Sequence, residues 1–418
     1  MIAMSFRLVM IFHSPRQNEN IDLKIYRDAG QLVANGVNPY DSTDHVKLRQ
    51  QLRTDKDNYD PWVCSTQDRW NYYAFSNLPL ATLFFGGIEY CFASPLAFRY
   101  TFAFFDSLLA VLIFAFIINK WRYRIPKNRI LNKLPIKLQQ NLPLLIGLSL
   151  GALSPILLIW GTYISEPKGI GLLLILSAIY FSDSSNKTLG LFISPVLLGF
   201  SVAFVGMGVF IGPLCLYNIY KNNVNGFRKI IFYCLVSFLA CIISIAPFLP
   251  ELIQMMIRRI GLAVLDQPQH GSMWLGLFKV LPNSWTVIRN IFILMFVGIN
   301  IIGFLRKRLD VVVVSANLLF LFTCIYLMNG SMDRMNIALV ALIILLGYGQ
   351  LFGITTILWL VYLLYALFSF FYSYYHNIRQ DFDGTFMLFF SILYLIILVV
   401  QTFSQHFKDE TKHSYSSI

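Results

Sequence analysis

Residues 96–141 read LAFRYTFAFFDSLLAVLIFAFII followed by NKWRYRIPKNRILNKLPIKLQQN. The first half, 96–118, is an apolar run of bilayer length, since a spanning helix needs about 20 such residues. The second half, 119–141, carries Lys120, Arg122, Arg124, Lys127, Arg129, Lys133 and Lys137 and no acid. Short loops rich in Lys and Arg stay on the cytoplasmic side of a membrane. Together the halves decide the fold class and its orientation: an all-α, polytopic membrane protein in which 119–141 is cytoplasmic.

Working outward, ten more apolar runs follow, at 142–162, 169–183, 188–204, 205–220, 230–249, 286–304, 311–328, 335–350, 354–375 and 386–403. A shorter run, 1–13, contains Arg7 and is too short to span alone, so a fuller first helix could begin upstream. The expectation is eleven to twelve transmembrane helices in one domain. Composition agrees: 57% of the 418 residues are hydrophobic and 13% are charged, against about 25% charged in a soluble domain. The net charge of +12 sits in short loops. It is read as topology and not as a nucleic-acid surface. Of the six cysteines, four lie inside apolar runs and none forms a CxxC, so neither a metal site nor a disulfide framework is indicated.

The basic loops 221–229 and 305–308 belong on the same side as 119–141. All three agree only if the apolar stretch 77–93 does not cross. Pro79, Gly86, Gly87 and Glu89 interrupt it, which suits a helix lying in the interface. Segment 14–95 is then a large outer loop, 96–249 a helical module, 250–285 a second outer loop, 286–403 the C-terminal helices and 404–418 a cytoplasmic tail. The glycines at 206, 208 and 212 follow no strand and lack the lysine of a phosphate-binding loop.

The polar residues that could carry chemistry gather in the outer loops. Asp22 precedes an amphipathic stretch, Ile25 through Val33. A carboxylate there can cap a helix or take a proton from a hydroxyl that attacks an anomeric carbon. Asp28 falls on the opposite face and is expected to be solvated. Gly36-Val-Asn38-Pro39-Tyr40 is a turn signal, either a plain helix stop or a turn whose tyrosine lines a site. Tyr59, Trp62, Trp70, Tyr72 and Tyr73 suit an interfacial belt or sugar stacking. Glu166 and Lys168 form an ordinary loop pair or meet a lipid phosphate. Arg258, Arg259 and His270 suit phosphate contact or a plain surface. Arg334 follows Asp333 at a membrane edge. Asp106 lies inside the run 96–118, where an acid is costly and marks either function or a bond to a neighbouring helix.

Asp22, Tyr26, Ala29, the Gly36-to-Tyr40 turn and Tyr73-Ala-Phe-Ser-Asn77-Leu78-Pro79-Leu80 together resemble the GT-C superfamily of integral-membrane glycosyltransferases. The closest likeness is to the bacterial polyprenyl-phosphate-mannose-dependent α-mannosyltransferases, and it is densest over 20–118. Asp333-Arg334-Met335 resembles a further element of these enzymes. The chain departs from the family's Tyr-x-Pro-Pro at Tyr73, and has Gly161-Thr162 where Gly-Gln is common.

The resemblance implies a transferase of the bacterial inner membrane, with its site on the periplasmic face. It would invert configuration and move a mannose-like hexose from a polyprenyl-phosphate donor to a lipid or glycan acceptor. Asp22 would be the base. Arg258, Arg259, His270, Arg334 and Lys168 would meet the donor phosphate, and Tyr26, Tyr40, Tyr73 and Glu166 the acceptor or sugar. Neither cofactor nor metal is expected. The competing readings are a transporter or flippase, and a polysaccharide polymerase or ligase with a diphosphate-linked donor. Transporters usually show paired half-repeats and charges at the midplane, and no halves match here.

Overall fold

The structure, a computed structural model, describes residues 2–13, 21–40, 78–122, 135–158, 167–184, 186–223, 226–249, 251–253, 273–325, 331–350, 353–376 and 381–404. Among these residues every regular element is helical. The α-helices are α1 Ile2–His13, α2 Ile21–Ala34, α3 Pro79–Phe92, α4 Pro95–Arg122, α5 Ile136–Leu150, α6 Lys168–Ser182, α7 Ser194–Val205, α8 Gly208–Asn222, α9 Gly226–Ile245, α10 Leu275–Val280, α11 Trp285–Leu305, α12 Val311–Ile325, α13 Ser331–Gly347, α14 Ile354–His376 and α15 Asp381–Phe403. A π-helical turn, Leu189–Ile193, leads into α7, and a 3₁₀ turn, Ala246–Phe248, follows α9.

Among the described residues, four helical segments have the length and composition to cross a bilayer: Pro95–Lys120, Gly226–Phe248, Trp285–Leu305 and Phe386–Phe403. Seven shorter apolar helices of 10–17 residues accompany them. On α9, Phe227, Ile231, Leu235, Phe238 and Ile243 are exposed. They recur at spacings of three to five, one stripe of a helix. On α11, Val287, Ile291, Leu294, Ile301 and Leu305 are exposed at spacings of three, four and seven, again one stripe. Apolar stripes of this length facing outward suit lipid and not water. The chain is an all-helical membrane protein.

Two compact units divide the chain. The first comprises residues 1–112, 151–209 and 218–261; the second 113–150, 210–217 and 262–418. In the first, α2 crosses α3 at two glycines. A Cβ on Gly30 would lie 2.7 Å from the Phe85 carbonyl oxygen, and one on Gly86 would overlap Val33. Beneath the crossing lies an apolar cluster that includes Leu23, Tyr26, Phe85, Phe98, Phe102 and Phe204. Helices α7 and α9 approach closely at Gly199, where a Cβ would overlap the Ser237 carbonyl. The Ser194 hydroxyl donates to the Ala178 carbonyl at 2.7 Å and lies 2.8 Å from the Tyr233 hydroxyl.

The second unit is built around α13, which is buried without interruption from Met335 to Leu346. A helix apolar on all sides belongs inside a bundle. Phe320 stacks on Tyr394 at 4.5 Å and meets Trp359 and Tyr362 edge-on. Through this core runs a satisfied polar chain. Tyr394 donates to Asn317 at 2.6 Å, Asn317 to Asn300 at 2.7 Å, and Asn300 to the Phe296 carbonyl at 2.8 Å.

The helices follow the apolar runs, with one departure. The run 142–162 does not form one helix. Helix α5 starts earlier, at Ile136, and ends at Leu150, where residues 151–153 form a turn ahead of Pro155. Proline disfavours helical backbone in the residue before it and removes a donor.

Candidate functional site

Residues 21–40 and 78–92 comprise α2, the turn after it and α3. Helix α2 ends in a Schellman motif: Val37 N–H donates to the Leu32 carbonyl and Gly36 N–H to the Val33 carbonyl, both at 2.9 Å. That motif places one residue in the left-handed region, and Gly36, at φ +74°, supplies it. The next turn is closed by Asn38, whose Oδ1 accepts from the Tyr40 N–H at 3.0 Å. The helix-stop reading of the Gly-Asn-Pro-Tyr sequence is therefore realised in detail.

Three side-chain ties hold this hairpin of helix and turn. Arg27 Nε donates to Glu89 Oε1 at 2.8 Å, with the Glu89 side chain 3% exposed. The Tyr40 hydroxyl lies 3.0 Å from Thr82 Oγ1. Asn38 Nδ2 donates to Glu251 Oε2 at 3.0 Å, joining the turn to residues 251–253. Around the last two ties Tyr40, Phe248 and Leu252 form a small apolar cluster. Burial pushes the Tyr40 phenol above its ordinary value, and the bond to Thr82 offsets only part of that.

Of the residues named from sequence, Asp22 is the second residue of α2. It therefore stands in the first turn of the helix and not ahead of it. A carboxylate there favours the helix dipole; its side chain lies outside the described residues. Tyr26 is buried and packs on Phe85 and Phe102, with ring centroids 5.0 and 6.2 Å apart. Tyr40 is 2% exposed. Both rings serve as internal struts of the α2–α3 platform. Asp28 is half-buried, less solvated than its helical position suggests. Lys168 opens α6 and is half-buried. Arg334 is the fourth residue of α13, with its side chain outside the described residues. Tyr73, Glu166, Arg258, Arg259 and His270 lie outside them altogether.

The structure places three charged residues that the sequence marks only as unusual in their apolar runs. Glu89 reads as a break in the stretch 77–93, yet α3 is continuous and Glu89 is the buried partner of Arg27. An acid inside an apolar helix requires a partner, and that signal was present. Arg7 and Asp106 are both buried, at 0% and 1% exposure. Among the described residues no group of three or more His, Cys, Asp or Glu is placed to hold a metal ion. Compared with known proteins, the chain matches no family model, no curated protein and no solved structure.

Proposed function

We propose that the protein is a membrane glycosyltransferase of about twelve spans, counting the short first. It moves a mannose-like hexose from a polyprenyl-phosphate donor to a lipid or glycan acceptor on the outer face of a bacterial inner membrane, with inversion. Asp22 is the general base. The observation that carries this reading is the platform itself. Within 20–80, residues of the resemblance that are described build it: Tyr26 and Ala29, both buried on α2, the 36–40 turn, and Leu78-Pro79-Leu80 at the start of α3. Asp22 stands on the first turn of the helix so clamped.

Proximity and fixed orientation are worth orders of magnitude in rate, so a base belongs on such a support. The acceptor hydroxyl would lose its proton to Asp22 as its oxygen attacks the anomeric carbon. The bond to the phosphate oxygen breaks on the opposite face and the lipid phosphate leaves. Its charge calls for fixed cations. Lys168, in the unit that holds Asp22, and Arg258, Arg259, His270 and Arg334 are the candidates. Tyr26 and Tyr40 act by holding the platform, and Tyr73 and Glu166 remain the candidates for sugar contact.

A donor panel tests the reaction class. Purified protein in lipid nanodiscs should transfer sugar from a polyprenyl monophosphate donor and fail with the diphosphate-linked equivalent. Transfer from the diphosphate alone would indicate a polymerase or ligase. Solute accumulation in proteoliposomes without any transfer would indicate a transporter.

A further inference from the structure

Arg7 on α1 and Asp106 on α4 are not used by the proposed transfer step. Asp106 lies about 16 Å along α4 from Pro95, at the 1.5 Å rise per residue of a helix, and so near the middle of a hydrocarbon core about 30 Å thick. Arg7 Nη1 donates to the Ala3 carbonyl of its own helix at 2.8 Å. Its Nε and Nη2, and Asp106 Oδ2, are buried with no hydrogen-bond partner among the described residues. The remaining carboxylate oxygen, Oδ1, rests against Gly169 in the first turn of α6, where a Cβ would overlap it. Ser107 beside it donates to Met4 Sδ at 3.4 Å, so α1 lies along this face of α4.

Charges buried at this depth are costly unless paired and hydrogen-bonded. Arg7 and Asp106 stand on neighbouring helices, and Arg7 Nε and Nη2 make no bond to the Asp106 carboxylate. The chemistry of what joins them is narrow. A guanidinium only donates and a carboxylate only accepts. A group that joins them must therefore accept from Arg7 and donate to Asp106. A metal cation would be repelled by Arg7 and a phosphate by Asp106. A hydroxyl or a water satisfies both partners, and buried waters do bind where two to four polar atoms lack partners.

We propose that Arg7, Asp106 and Gly169 bound an intramembrane subsite for one hydroxyl-type oxygen, either water or the hydroxyl of a membrane-borne ligand. The subsite joins α1, α4 and the start of α6, and it stands whether or not Asp22 is a base.

The full chain in lipid nanodiscs, imaged at a resolution that shows ordered water, should carry one oxygen-sized density within hydrogen-bond distance of both Arg7 and Asp106. Repeating the experiment with octyl mannoside separates the sources. An unchanged lone oxygen identifies water, and its replacement by a sugar hydroxyl identifies the ligand; either supports the subsite. A guanidinium in direct contact with the carboxylate would overturn it.

Variants give an independent reading. Asp106→Asn and Arg7→Gln should each lower Tm, and the double variant should be at least as stable as the weaker single, because it leaves no lone buried charge. Losses that simply add in the double variant would overturn the proposal. Gly169→Ala keeps every charge and should abolish the density by displacing Oδ1; retention of the density in that variant would also count against it.

Discussion

Gly86 and Gly87 are adjacent in α3, yet the structure gives them opposite duties. A Cβ on Gly86 would overlap Val33 of α2, whereas Gly87 has nothing within 4 Å of that position. Gly86→Ala should therefore destabilise by about 1–3 kcal/mol through overpacking. Gly87→Ala should be neutral or stabilise by up to about 1 kcal/mol, the helix-propensity gain of Ala over Gly. Thermal unfolding of both variants in one detergent checks the pair. A similar contrast applies to the Arg27–Glu89 tie. Arg27→Met strands the buried Glu89 carboxylate and should cost about 3–5 kcal/mol, the range for breaking a buried pair from one side. Adding Glu89→Gln to it should recover part of that loss. In the sequence, Pro79, Gly86, Gly87 and Glu89 together read as interruptions. Three of the four have a separate reason for their place: Pro79 starts the helix, Gly86 admits a neighbour and Glu89 holds one, while nothing in the structure explains Gly87. A linear reading detects that a residue is unusual for a helix and misses the partner that makes it fit.

At the scale of elements, the positions of the helices were legible because bilayer-length apolar runs leave few alternatives. The exception, α5, shows the limit. Its first turns, from Ile136 to Asn141, are polar and exposed or half-buried, so hydropathy places its start too late. Gly151 and Pro155 lie inside an apolar run that hydropathy treats as uniform. The pairing of α2 with α3 was not legible either, because the intervening chain hides which faces meet. That pairing has a measurable consequence at its turn. An ordinary tyrosine phenol titrates near 10, and burial raises Tyr40 above this. Below pH 10 both the folded and the unfolded state keep the proton, and the contribution of Tyr40 to stability is complete. As pH rises past 10 the unfolded chain loses the proton first, and that contribution declines until the folded phenol ionises as well. The wild type should therefore lose stability above pH 10 more steeply than Tyr40→Phe, in chemical unfolding curves taken in parallel. Equal slopes would mean that the phenol is open to solvent.

For the whole molecule, membrane class follows from composition and from the exposed apolar stripes of α9 and α11. Orientation rests on the basic loop 119–141. Cysteine labelling at residue 130 in a background without native cysteines should be blocked from the outer side, while positions 60 and 265 should label from it. Labelling of 60 and 130 on the same side would mean that 77–93 crosses the membrane, and would remove Asp22 from the outer face. The site was legible in part. Tyr26 and Tyr40 fall in the α2 platform, and Lys168 and Arg334 in the first turns of α6 and α13, where apolar runs mark the helices, whereas Tyr73, Glu166, Arg258, Arg259 and His270 sit in polar segments whose sequence offers no periodicity to place them. The central claim is that Asp22 is the base of a sugar transfer. Its most direct test is the rate of mannose transfer from polyprenyl-phosphate mannose by wild type and Asp22→Asn, each in nanodiscs with matched Tm. The account predicts a fall of about 10²–10⁴-fold, the usual contribution of a general base. An Asp22→Asn rate equal to wild type would contradict it.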